Sequence, residues 1–187
     1  MKIAFDVDGV VLRSIDVILD YINRVSNRDL RVDDLTAWDL EPLDIDVRTL
    51  HAAVEHLYSQ PCVENYAGSV EVLSRVYQTT GEPLLFITGR ADPETARRQL
   101  QALPWNPTVP EMVVTGGNRD KRAYLVERAV DFIVEDDPVF LQAYLEAGFG
   151  VGLMLRPWNR QSALNVTRRF DGWHDVEAWF RGLQGRS

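Results

Sequence analysis

The sequence predicts an α/β fold: a Rossmann-like parallel sheet with helices on both faces and a small helical cap inserted after the first strand. Three observations predict it. Five short apolar runs, at residues 2–7, 83–88, 111–115, 131–135 and 150–155, alternate with segments of helical spacing, which is how repeated βα units read. Asp92-Pro93 and Asp137-Pro138 each look like a helix cap followed by proline at the first helical position. The long stretch after the first run carries no strand pattern and exceeds an ordinary crossover of about a dozen residues.

In chain order, the run at 2–7 is the first strand. Ile15, Ile18, Ile22 and Val25 then share one face of an amphipathic helix. A loop rich in Asp, Glu and Pro follows, and a second helical stretch covers 47–58. Residues 14–65 are therefore expected to form a helical cap insertion, and 1–13 with 66–187 the α/β core. Val70, Leu73, Val76 and Tyr77 make one helical stripe, and Ala96, Leu100 and Leu103 another. After the strand at 131–135, Leu141, Tyr144 and Leu145 give a helix its apolar face, with Gly148 as its stop.

Composition narrows the function. The 187 residues carry 28 acidic and 20 basic side chains, a formal charge of −8. Non-specific nucleic-acid binding draws on an excess of Lys and Arg and is not expected. A hydrophobic fraction of 45% suffices for a packed core. The single cysteine, Cys62, excludes an internal disulfide framework and a cysteine-built zinc site, and it is expected to be inert packing. No apolar run nears the ~20 residues of a membrane span. Asp6 comes too early for a signal peptide, so the cytoplasm is the expected location. Among the basic residues only Lys2 and Lys121 are lysines. A chain that writes arginine almost everywhere else points to a need for an ammonium at position 121.

In an open parallel sheet ligands bind beyond the carboxyl ends of the strands, so the residues ending each strand matter most. They are Asp6-Val7-Asp8-Gly9, Thr88-Gly89-Arg90, a Gly-Gly loop leading to Asp120-Lys121-Arg122, and Glu135-Asp136-Asp137. Carboxylates gathered at one rim repel unless a cation sits among them, and hard oxygen ligands suit Mg²⁺. A carboxylate can attack phosphorus and split one hard displacement into two easier steps. Thr88 and Gly89 offer a hydroxyl and N–H groups to phosphate oxygens, and Lys121 sets a compact positive charge against developing negative charge.

The four elements FDVDGV, ITGR, Lys121 and VEDDP resemble, in order and spacing, the haloacid dehalogenase (HAD) superfamily of phosphatases. Leu35-Thr36-Ala37-Trp38-Asp39-Leu40, Arg156-Pro157-Trp158-Asn159-Arg160 and Gly172-Trp173 further resemble its 5′(3′)-deoxyribonucleotidase-like branch. The resemblance implies a Mg²⁺-dependent phosphomonoesterase working through an aspartyl-phosphate on a small phosphorylated substrate, a nucleoside monophosphate. It implies Asp6 as nucleophile and metal ligand. Asp8 becomes general acid and base, with its carbonyl on the metal, and Thr88 the phosphate-binding hydroxyl. Lys121 holds nucleophile and phosphoryl group, while Asp136, supported by Asp137, binds metal, with a register open by one residue within 135–137.

Each residue alone has a plainer reading. Asp6 and Asp8 could form a turn, Thr88-Gly89 could end a strand, and Lys121 could be a solvated side chain; their joint order argues otherwise. Trp38, Tyr21 and Tyr58 could stack on a nucleobase or simply pack the insertion, and Arg90 could reach substrate or brace its loop. His51 and His56 do not have metal spacing, and Arg168-Arg169 reads as a solvated face. Two other readings compete. One is the same chemistry on a sugar phosphate or a polynucleotide 3′-phosphate end, and the other a phosphate-sensing or partner-binding protein without turnover.

Overall fold

The computed structural model describes residues 1–37, 40–105 and 112–184. Among these, six short parallel strands form one sheet: β1 (Ile3–Phe5), β2 (Leu84–Ile87), β3 (Met112–Thr115), β4 (Phe132–Glu135), β5 (Gly150–Met154) and β6 (Arg168–Phe170). Their order is β3-β2-β1-β4-β5-β6. Phe5 pairs with Phe86 on one side and with Val134 on the other. The central strands are buried along their length, as strands covered on both faces must be.

The strand predicted at 150–155 is β5, and four of the other predictions fall on β1 to β4, although residue 111 lies outside the described residues. The sixth strand was not expected. Its three residues include exposed Arg168 and Arg169. The solvated reading of that pair holds, but the backbone also pairs with β5, Gly152 opposite Arg168. Such a short edge strand has no room to show alternation.

Helices cover both faces. On one lie α3 (Ser69–Thr80), α4 (Pro93–Gln101) and α7 (Trp173–Gln184), which bring Leu73, Leu100 and Trp173 against Phe5 and Phe86. On the other lie α5 (Arg122–Glu127) and α6 (Leu141–Glu146), which bring Leu125 and Tyr144 against Ala4 and Ile133. The Asp92 carboxylate does cap α4, taking the Glu94 N–H at 3.0 Å. Asp137 does not cap α6. That helix begins at Leu141, and Asp137 instead accepts the Val139 N–H at 2.8 Å, closing a turn ahead of it.

The segment after β1 forms α1 (Ser14–Ser26) and α2 (Val47–Ser59), which pack on each other. Asp46 caps α2 by accepting the Arg48 and Thr49 N–H groups. Leu19, Leu35, Leu40 and Trp158 form a third apolar cluster there. The predicted apolar face of α1 is divided. Ile22 is buried, Ile15 and Ile18 are half-buried, and Val25 is exposed, because Leu19 takes the buried place beside Ile22. Cys62, expected to be packed, is exposed. Residues 14–65 leave and rejoin the rest through two adjacent crossings. The Arg13 N–H donates to the Glu64 carbonyl at 2.8 Å, and the Tyr66 N–H to the Val11 carbonyl at 2.9 Å.

Trp173 ties the last helix to the turn after β1. Its indole N–H donates to the Val10 carbonyl at 3.0 Å from a buried position. Trp173→Phe keeps an aromatic ring but leaves that carbonyl unpaired, which costs about 1–3 kcal/mol. Urea unfolding of the two proteins should show a loss of that size.

Candidate active site

The strand order reverses direction between β1 and β4, so the helices on their two sides part and leave a crevice at their carboxyl ends. Asp6 follows β1 there, its N–H bonded to the Val134 carbonyl at 2.9 Å. The chain then turns sharply, with the Val11 and Leu12 N–H groups both donating to the Val7 carbonyl. Gly9 adopts φ +75° in this turn, and a Cβ there would stand 2.1 Å from Asp136 Oδ2. Only glycine lets the carboxylate after β4 come so near the loop after β1.

Three carboxylates meet in the crevice. Asp6, Glu135 and Asp136 are buried, and each presents an oxygen within 4.8 Å of the others. Lys121, at the cap of α5 and 4% exposed, places its Nζ 2.5 Å from Asp6 Oδ1 and 2.7 Å from Glu135 Oε2. The other oxygen of Glu135 accepts the Asp136 and Asp137 N–H groups at 3.0 and 3.2 Å. Asp136 is held by the Trp158 indole N–H at 3.1 Å, and its carbonyl by the Asn159 amide at 2.8 Å.

One ammonium among three carboxylates leaves an excess of negative charge. Burial, then the charge of Glu135, pushes the Asp6 carboxyl well above the usual carboxylate range. Burial, then the charges of Asp6 and Glu135, does the same to Asp136. Burial works to lower the Lys121 ammonium, but Asp6 and Glu135 outweigh it and hold the group charged. A hard divalent cation suits such a cluster, which offers oxygen ligands and lacks positive charge.

Asp8 is handled separately. Arg90 grips it with a two-pronged ion pair, Nη2 to Oδ1 at 2.6 Å and Nε to Oδ2 at 2.8 Å, and the Ser14 hydroxyl also donates to it. Burial raises the Asp8 carboxyl, but the charge and hydrogen bonds of Arg90, with Ser14, leave it below its ordinary value. Arg90 is in turn held by Gln99 Oε1 at 2.7 Å, and the Gln99 amide donates to the Leu57 and Gln60 carbonyls at 2.9 and 3.0 Å. A chain of bonds therefore runs from Asp8 to the end of α2.

The structure brings Asp6, Asp8, Lys121 and Asp136 to one cavity, with Gly89 on its lining. Thr88 lies beneath: its hydroxyl oxygen accepts the Arg90 N–H at 3.2 Å and stands 3.5 Å from Asp8 Oδ2. Asp137 stays outside the carboxylate cluster and bonds Arg119 at 3.2 Å on the cavity wall. Glu135, which the open register at 135–137 had included, enters the cluster, while Trp158 and Asn159 at Asp136 and Ser14 at Asp8 were not foreseen. Glu135 was legible only as one of three adjacent acids. Trp158 and Asn159 stood in the sequence as a branch resemblance with no chemical role.

No protein-family model matches the chain, and no curated protein matches it in sequence. Solved structures do. A haloacid dehalogenase-like hydrolase of Streptococcus pneumoniae matches at TM-score 0.65 and 14% identity, covering 96% of this chain and 97% of that one. The chain has the haloacid dehalogenase-like fold. A protein described as a candidate β-phosphoglucomutase of Bacteroides vulgatus matches at TM-score 0.61 and 17% identity, covering 98% and 88%. A HAD hydrolase of Bacillus subtilis bound to magnesium matches at 0.63 and 14%, covering 96% and 98%. Identities this low establish the HAD-like fold alone. Among the described residues no helix is long and apolar enough to cross a membrane.

The excess charge has a measurable consequence. Asp6 and Asp136 keep protons in the folded chain that the unfolded chain has already lost. Without metal, stability should therefore fall as pH rises from the ordinary carboxylate range through the raised folded values. Asp136→Asn removes one buried charge and keeps an oxygen for Trp158. In metal-free buffer near pH ~8 it should raise stability by about 1 kcal/mol, or roughly 2–4 °C in Tm. Calorimetry should also find that Mg²⁺ raises the wild-type Tm more at pH ~8 than at pH ~5 and scarcely affects the variant. A variant that is less stable at the higher pH, with an undiminished Mg²⁺ response, contradicts this electrostatic account.

Proposed function

We propose that this protein is a Mg²⁺-dependent phosphomonoesterase that works through an aspartyl-phosphate on Asp6. The observation that carries the reading is the convergence, at the ends of β1, β3 and β4, of a buried Asp6–Lys121 pair with Asp136 and the Arg90-gripped Asp8. Lys121 occupies Asp6 Oδ1, which leaves Oδ2 for attack on phosphorus. As that bond forms, the bond from phosphorus to the leaving alcohol breaks, and Asp8 supplies the proton to the alcohol oxygen. Water then attacks the phosphorus, Asp8 takes its proton, and phosphate leaves with the Asp6 carboxylate restored. The Arg90 fork makes the protonated Asp8 of the first step a stronger acid and favours the ionised Asp8 that the second step needs, and the proton taken from water restores the starting form. Asp6, Asp136 and the Asp8 carbonyl would hold Mg²⁺, which offsets charge on the carboxylates and on the phosphoryl group.

In this reading Lys121 steadies the phosphoryl oxygens, while Gly89, with Thr88 behind it, forms their floor. Asp137 acts through Arg119 at the rim. Residues 14–65 serve as the cap, since α1 and α2 line the cavity and their two crossings lie side by side. A nucleoside monophosphate follows from the branch resemblance. Of the aromatics that could stack on its base, Tyr58 lines the cavity, Tyr21 packs on His56, and Trp38 lies outside the described residues. A sugar phosphate is a second reading, favoured by the neighbour described as a candidate β-phosphoglucomutase.

Purified protein should release phosphate from small phosphate monoesters with Mg²⁺ and stop on chelation. Asp6→Asn should abolish turnover. Lys121→Arg should lower kcat about a hundredfold or more, because a planar fork cannot replace a point charge set between two carboxylates. Its circular dichroism should stay that of the wild type. Robust phosphate release by Asp6→Asn would rule out the aspartyl-phosphate route.

A further inference from the structure

The cavity above the catalytic groups has two unlike halves. Its floor is charged: Asp6, Asp8, Arg90, Lys121 and Asp136. Its roof is aliphatic, with Ile15 and Ile18 from α1, Leu50, Val54 and Leu57 from α2, and Leu35 and Leu40 from the segment between them. The whole encloses about 330 Å³, the small end of the ~300–1,000 Å³ usual for ligand sites.

Polar groups do lie at the junction of floor and roof, and the donors of Ser14 and Trp158 are taken. The Ser14 hydroxyl donates to Asp8, and the Trp158 indole to Asp136. The Tyr58 ring centroid lies 5.4 Å from the Arg90 guanidinium carbon, and its hydroxyl keeps an O–H for a ligand. The seven aliphatic side chains of the roof offer a ligand no donor or acceptor. A sugar or ribose pressed against it would shed water from its hydroxyls and receive nothing in return. An apolar group would instead cover aliphatic surface that otherwise faces water.

We infer that the substrate is the phosphate monoester of a compact apolar alcohol, aliphatic or aromatic, whose hydrocarbon part fills the roof between α1 and α2. This inference rests on the phosphatase reading above and sets an apolar leaving group against the nucleotide and the sugar phosphate named there. The phosphate would sit among the charged groups of the floor. The aliphatic wall then selects against polar alcohols by what it fails to supply, roughly tenfold to a hundredfold for each hydroxyl pressed against it.

The test compares four esters with Mg²⁺, all of primary alcohols: hexyl phosphate, benzyl phosphate, glucose 6-phosphate and thymidine 5′-monophosphate. Leaving-group chemistry is then closely matched, and the roof makes the difference. Hexyl and benzyl phosphate should exceed the other two in kcat/KM by at least about tenfold. Val54→Asn, which puts an amide into the roof, should cut the hexyl-to-glucose ratio several-fold. A ratio is unaffected by any loss of folded enzyme. Calorimetric binding of hexylphosphonate, which cannot be hydrolysed, reads the roof without turnover. Hydrolysis of glucose 6-phosphate or the nucleotide as fast as hexyl phosphate, or an unchanged ratio in Val54→Asn, overturns the inference and leaves the phosphatase reading standing. Tight hexylphosphonate binding without turnover of any ester overturns the phosphatase reading and leaves the roof's preference standing. Neither binding nor turnover overturns both.

Discussion

Three carboxylates buried around one ammonium are the constraint from which much of this structure follows. Asp6, Glu135 and Asp136 repel one another in a site that desolvates them, and Lys121 compensates only part of that charge. Such a cluster survives only if the surrounding frame holds it rigidly. Parallel pairing of β1 with β4 fixes the two strand ends, and the Glu135 carboxylate is pinned by two backbone N–H groups as well as by Lys121. Gly9 clears space for Asp136, and Trp158 and Asn159 hold it from the chain after β5.

Asp8 belongs to a different electrostatic regime, two residues away. Its charged partner is a single buried arginine: Arg90 also bonds Gln99, whose amide reaches the carbonyls that end α2. Three side chains therefore connect the loop after β1 with the placement of the helical segment that roofs the cavity. The roof in turn has an aliphatic character opposite to the floor it covers. Charge at the bottom and hydrocarbon at the top fit a molecule with the same division.

Much of this was legible in the residues. Strands β1 to β5 showed as apolar runs because central parallel strands are buried on both faces and carry little else. Asp92-Pro93 marked the start of α4 because a cap and a proline act locally. Asp137-Pro138 misled for the same reason: the carboxylate closed a local turn, but the helix began at Leu141. β6 stayed hidden because its pairing with β5 depends on a distant strand, while its own three residues read as surface.

The sequence by itself determined the α/β alternation, the long helical insertion and the line of strand ends that bears Asp6, Asp8, Thr88, Lys121 and Asp136. Those signals are local periodicities and terminal residues, and they survive without knowing where the chain goes. Only the tertiary structure decided that Lys121 bridges Asp6 and Glu135, that Arg90 closes on Asp8, and that Asp137 turns away to Arg119. It also decided that the half-buried Ile15 and Ile18, with Val54, face the charged floor rather than the core. Each of those pairings spans parts of the chain far apart in sequence, and such contacts depend on how helices and strands pack, which no local pattern records.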